Sequence, residues 1–174
     1  MTVITPEGER RDAYRLIETT EDAKAPAGNA AGSKPLVPLA LLGEIETPEA
    51  PFGLFVENTA EIAEIAPHLG SVDLIAIAFP AFSDGRGFSL AKRLRREGFT
   101  GTLRAKGPLI ADQFADALAC GFDEVDIPDT MANRQPVQQW LEMKDTMSVH
   151  YQTGFGEGKS ILQQRMAARE EAAR

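Results

Sequence analysis

The residues best placed to do chemistry lie in one loop, Phe79-Pro80-Ala81-Phe82-Ser83-Asp84-Gly85-Arg86-Gly87-Phe88-Ser89. Two glycines flank an arginine just before a stretch of helix-forming residues whose expected cap is Ser89. Glycine permits close backbone approach. A helix start offers free N–H groups and a partial positive charge. A guanidinium adds a planar fork that suits a carboxylate, a phosphate or an oxyanion of sulfur. Asp84, Gly85, Arg86, Gly87 and Ser89 therefore form a candidate anion site. The competing reading is a structural turn in which Arg86 pairs with Asp84. The loop is neither a dinucleotide fingerprint, which needs a glycine at position 90, nor a phosphate loop, which needs Gly-Lys-Ser/Thr.

Charge is unevenly spread around this loop. The 174 residues carry a net charge of −8, yet residues 83–106 carry +5. Arg104 and Lys106 end the next expected strand, so Arg104 is expected on the same rim as Arg86. Such a segment can steer an anion or an acidic partner; a solvated helix face is the plainer account. Asp112 and Gln113, in the first turn of a later helix, are further candidates for that rim, or else serve the helix dipole.

Other chemistry is poorly represented. There is one cysteine, Cys120, and two histidines, His68 and His150. That excludes an internal disulfide and a Cys-ligated zinc or iron–sulfur centre built by this chain alone. Cys120 reads as an inert, buried thiol. No zinc, flavin, haem or nicotinamide signature is complete, so no cofactor and no metal are expected. The acidic balance argues against nucleic acid as partner. No apolar run reaches the length of a membrane-spanning helix, and the first eleven residues have no apolar signal core. The expected setting is cytoplasmic, away from membranes.

The elements that must position the loop alternate. Apolar strands are expected at 52–56, 73–79, 102–105 and 124–127. Helices are expected at 58–67, 89–97, 109–120, with Gly121 as a left-handed cap, and 135–150. Strand–helix units of this spacing imply an α/β fold: a small open parallel sheet with helices on both faces, flavodoxin-like or of half-barrel type. Three regions are expected. Residues 1–34 are an N-terminal hairpin, pairing 2–5 with 13–17, and a flexible linker. Residues 35–152 are the α/β domain, with the proline-broken segment 35–42 as an edge or covering loop. Residues 153–174 are a polar tail.

The loop 79–91, followed by Leu94-Arg95, Gly98-Phe99-Thr100-Gly101, Leu103-Arg104-Ala105, Asp112-Gln113 and Cys120-Gly121-Phe122-Asp123, resembles the bacterial family known as domain of unknown function 934. Val37-Pro38-Leu39-Ala40 and Tyr151-Gln152 extend the resemblance to roughly residues 35–152. It implies an accessory protein or oxidoreductase component of assimilatory sulfite reduction, with a sulfite/nitrite reductase haemoprotein as partner. The family brings no catalytic residue set. The alternative from the residues themselves is a small enzyme or binding protein for an anionic metabolite. A response-regulator-like module ranks last, because it lacks an acidic pair after an early strand.

Overall fold

A computed structural model describes residues 2–24, 33–46 and 51–144. Of the expected linker over 21–33, residues 21–24 are helical, contrary to expectation, because Asp22 caps the turn through Thr19; residues 25–32 and the tail at 153–174 lie outside the described residues, as do His150, Tyr151 and Gln152.

Eight strands form one sheet: β1 (Thr2–Thr5), β2 (Gly8–Arg10), β3 (Tyr14–Leu16), β4 (Lys34–Pro38), β5 (Phe52–Val56), β6 (Val72–Ala78), β7 (Thr102–Lys106) and β8 (Glu124–Ile127). Their order is β2-β1-β8-β7-β6-β5-β4-β3. From β3 to β8 every pair is parallel; β1 joins β8 and β2 antiparallel. The helices are α1 (Thr20–Lys24), α2 (Ile62–Ile65), α3 (Arg86–Arg96), α4 (Phe114–Ala119), α5 (Asp129–Ala132) and α6 (Val137–Met143).

The α/β class and parallel sheet are as expected, and the architecture is the half-barrel one. Successive parallel strands are added always on the same side, so right-handed crossovers place their helices on one face. The order never reverses, as helices on both faces would require. The buried side chains agree. Leu90, Ala91 and Leu94 of α3, Phe114 and Ala117 of α4, and Trp140 of α6 share one core with Leu54, Ile75, Ile77, Leu103 and Val125 of the strands. Trp140 meets Phe114 edge-on at 5.7 Å. The other face carries a smaller cluster made by strands alone: Leu36, Leu74 and Ala76, with Tyr14, Leu16 and Phe55.

The N-terminal strands differ from expectation. Residues 2–5 pair with 8–10, not with 13–17. Residues 14–16 instead form β3 at the opposite edge of the sheet. This has a geometric consequence. Seven strand spacings would separate the edges of a flat sheet by about 33 Å. The chain from Arg10 to Tyr14 spans at most about 14 Å. The sheet must therefore curl until its edges approach, and its strand-only face becomes the inside. Segment 34–38 is correspondingly an inner strand, not an edge. Pro35 is tolerated because pairing with β5 begins one residue later, at Leu36.

Candidate functional site

The carboxyl ends of β5 and β6 and the start of α3 frame the site. Helix α3 begins at Arg86, one turn earlier than expected, with Gly85 as its N-cap and no side-chain cap. Ser89 is thus inside the helix and is not its cap. The Asp84 carboxylate holds the turn. It accepts from Arg86 Nε at 2.9 Å and Arg86 Nη2 at 2.6 Å, and more loosely from the Arg86 amide at 3.3 Å. Arg86 itself remains 61% exposed at its side chain. This pairing holds the Asp84 carboxyl well below the usual carboxylate range and the guanidinium above its own. The nearby Asn58 amide adds to the effect on Asp84. It does so without a hydrogen bond of normal geometry, because Asn58 Nδ2 is buried and has no hydrogen-bond partner among the described residues.

The loop's glycines have different causes. A Cβ on Gly87 would lie 2.5 Å from the Phe79 ring, so this glycine lets α3 seat against β6's exit. A Cβ on Gly85 would make only an ordinary contact with Phe88 at 3.8 Å, and its φ is an ordinary −79°. Phe88 completes an edge-to-face cluster with Phe79 at 5.0 Å and Phe122 at 6.2 Å. Much of the loop's composition is therefore explained by packing and by the Asp84–Arg86 clamp.

A cavity of about 340 Å³ opens beside this turn, lined by Asn58, Glu61, Arg86, Ser89 and Arg93 among others. It shares Thr59 and Ala60 with a larger cavity of about 510 Å³ at the ends of β4 and β5. Asn58 stands at the start of the helix expected over 58–67, yet it does not cap α2; Glu61 does, its amide donating to Glu64 Oε2 at 3.2 Å. Asn58 is instead 7% exposed, a buried amide at a strand exit. An amide two residues past the end of an apolar strand, at the edge where ligands bind in parallel sheets, is the available signal.

Gln113 joins the site indirectly. Its Nε2 donates to the Phe82 carbonyl at 2.7 Å, tying the loop to the 3-10 turn Ala111–Gln113. Asp112 is exposed on that turn.

Arg104 is not on the rim. It is fully buried on the inner face of β7. Its Nε donates to Glu124 Oε1 at 2.7 Å and its Nη1 to Asp12 Oδ1 at 2.9 Å. The guanidinium stacks over the Tyr14 ring at 5.4 Å, across the curled sheet. Burial alone would lower its pKa; the two carboxylates outweigh this and raise it. The reason is the curl: a side chain at mid-strand on the concave face points into the interior, not to an edge.

The basic segment is neutralised by the fold in the same way. Arg95 donates to the carbonyls of Gly121, Phe99 and Gly101 and to Asp123. Arg93 lies 3.8 Å from Glu61, and Lys106 donates to Asp126. Steering by an uncompensated positive patch is thus not what the segment offers. Cys120, at the end of α4, is half-buried, and burial pushes its thiol pKa up. Among the described residues, no group of three metal-ligating side chains could hold an ion, and no helix is long and apolar enough to cross a membrane.

A family model described as "Bacterial protein of unknown function (DUF934)" matches residues 53–162. No curated protein and no solved structure matches the chain. The matched span is well over half of the sequence and includes α2, α3, the glycine loop and β5 to β8. The chain belongs to this family.

Proposed function

We propose that this chain takes a small oxyanion at the carboxyl edge, between Asn58 and the first turn of α3, and serves as an accessory component of sulfite reduction that docks on a sulfite/nitrite reductase haemoprotein. One observation carries the anion reading. Asn58, whose buried Nδ2 makes no hydrogen bond of normal geometry among the described residues, belongs to the lining of a cavity that Arg86, Ser89 and Arg93 also line. An unmade hydrogen bond of this kind is costly, and an anion oxygen supplies the acceptor. Arg86, exposed and locked in a fixed turn by Asp84, presents its remaining N–H donors without a reorganisation cost. Open parallel sheets and barrels bind ligands at this end of their strands. The link to sulfite reduction comes from the family resemblance.

Calorimetric titration with sulfate and sulfite tests the anion reading, comparing the native protein with Arg86→Ala and Asn58→Ala. Sulfate is the sharper probe, because it only accepts hydrogen bonds and Asn58 and Arg86 donate them. Loss of sulfate binding in both variants, with unchanged melting temperature for Arg86→Ala, supports the site. Equal affinity in all three proteins, or no binding, removes it. Co-purification with the purified haemoprotein tests the docking half separately.

A further inference from the structure

We infer that the interior of the curled sheet holds a second site, which takes a small oxyanion carrying one proton between Arg104 and Asp126. This inference is independent of the rim site above. It starts from two orphaned atoms. Arg104 Nη2 and Asp126 Oδ1 are both buried and have no hydrogen-bond partner among the described residues. Both residues are fully buried. One is a charged donor and the other a charged acceptor, and a buried charged group left unpaired is the costliest kind.

The register of the sheet makes them neighbours. Arg104 pairs with Glu124 and Lys106 with Asp126, so Arg104 and Asp126 sit diagonally on the same inner face of β7 and β8. The other side-chain polar atoms of the two residues already have partners. Arg104 Nε and Nη1 hold Glu124 and Asp12, and Asp126 Oδ2 holds Lys106 Nζ. On the strand beside β7, the residues opposite Arg104 and Lys106 are Ala76 and Ala78. Alternation along β6 puts both on the inner face. The flanking side chains at this level are thus methyl groups. Lys106 and Asp126 lie in the carboxyl halves of β7 and β8, with Arg104 one side-chain layer deeper.

The pair also selects its guest. Arg104 Nη2 requires an acceptor, whereas Asp126 Oδ1, whose twin oxygen accepts from Lys106, requires a donor. One small molecule satisfies both if it carries an X=O and an X–O–H on one centre. Hydrogen phosphate, hydrogen carbonate and hydrogen sulfite have that form near neutral pH; sulfate and nitrate do not.

The experiment measures calorimetric binding of phosphate and of sulfate at neutral pH to Arg86→Ala, in which the rim site is disabled. Phosphate binding with sulfate at least about tenfold weaker is the expected result, the ratio for one lost charge-assisted hydrogen bond. Ala78→Val, which adds two methyl groups opposite Lys106 without changing a charge, should abolish the phosphate binding that remains. Asp126→Asn should erase the phosphate-over-sulfate preference; if that variant does not fold, Ala78→Val still decides. Equal binding of the two anions, binding of neither, or phosphate binding that survives Ala78→Val overturns the site. Failure of the rim site appears instead as unaltered sulfate binding in Arg86→Ala against the native protein.

Discussion

Replacing Arg104 with methionine tests whether the interior ion network holds the curled sheet closed. The substitution keeps an unbranched side chain but removes the charge between Glu124 and Asp12. Removing one partner of a buried pair costs about 3–5 kcal/mol, because the remaining charge is left uncompensated. The surroundings favour the lower half of that range. Glu124 keeps Arg10 at 2.6 Å, and Asp12 is 28% exposed at its side chain and still accepts from the Tyr14 amide at 2.9 Å. A loss of about 3 kcal/mol is expected, which at a urea m-value of about 2 kcal/mol/M moves the midpoint down by about 1.5 M. The double variant Arg104→Met with Glu124→Gln should recover part of this loss, since the orphaned charge goes with it. An exposed rim arginine, by contrast, changes stability by no more than about 0.5 kcal/mol. A midpoint shift within that smaller range, or a double variant no better than the single, would refute the reasoning.

Three further outcomes follow from the same geometry. Gly107 has φ +147°, and a Cβ there would lie 2.0 Å from the Phe79 carbonyl oxygen, so Gly107→Ala should lower the melting temperature far more than Gly43→Ala, whose added methyl meets nothing; equal shifts in a thermal melt would contradict this. The Asp84 carboxyl is held low by Arg86, so the clamp is intact above the ordinary Asp range of about 3.9 and fades only as pH falls below it; a carbon-detected NMR titration with a midpoint at the ordinary value would deny the clamp. Burial, and then Asp73, raise the Tyr14 phenol above its ordinary value, so its contribution to stability is complete below pH of about 10 and is lost as pH rises further; the ultraviolet difference between native protein and Tyr14→Phe should show no phenolate signal up to that pH.

The parts of the fold legible in the sequence are those where local pattern and burial agree. The continuous apolar run of β6 reads as a strand buried on both faces, and it is one. Gly121 reads as a left-handed helix end, and its φ is +98°. What was not legible depends on closure. Nothing local in residues 11–13 says that β2 and β3 lie at opposite edges of one sheet, and without that fact no reader can tell inside from rim. Local sequence alone therefore places Arg104 at the rim, where an isolated arginine usually lies. A signal was nonetheless present. Arg104 and Lys106 alternate with apolar residues on β7, and Glu124 and Asp126 alternate in the same way on β8. Opposite charges at matching alternate positions of consecutive parallel strands mark a shared, paired face.

That pairing also bears on how the two ends of the chemistry are separated. The Asp84–Arg86 clamp and Asn58 belong to loops at the carboxyl edge, positioned by Gly87 against Phe79 and by Gln113 on Phe82. The Arg104 network belongs to the strands and is fixed by sheet register. A loop site can change its contacts with small backbone shifts; a network set by register cannot, since one residue of slip would turn every charge to the opposite face. Lys34, held by Asp73 and 5.7 Å from the Tyr14 ring, extends the network to the β3–β4 edge. Tyr14 lies between Lys34 and Arg104 and fits only because Gly53 has no side chain, its Cβ position being 2.9 Å from the ring. Closure of the sheet and completion of the interior charges are consequently one event, and whatever the interior binds must enter after β3 has docked or be enclosed as it does.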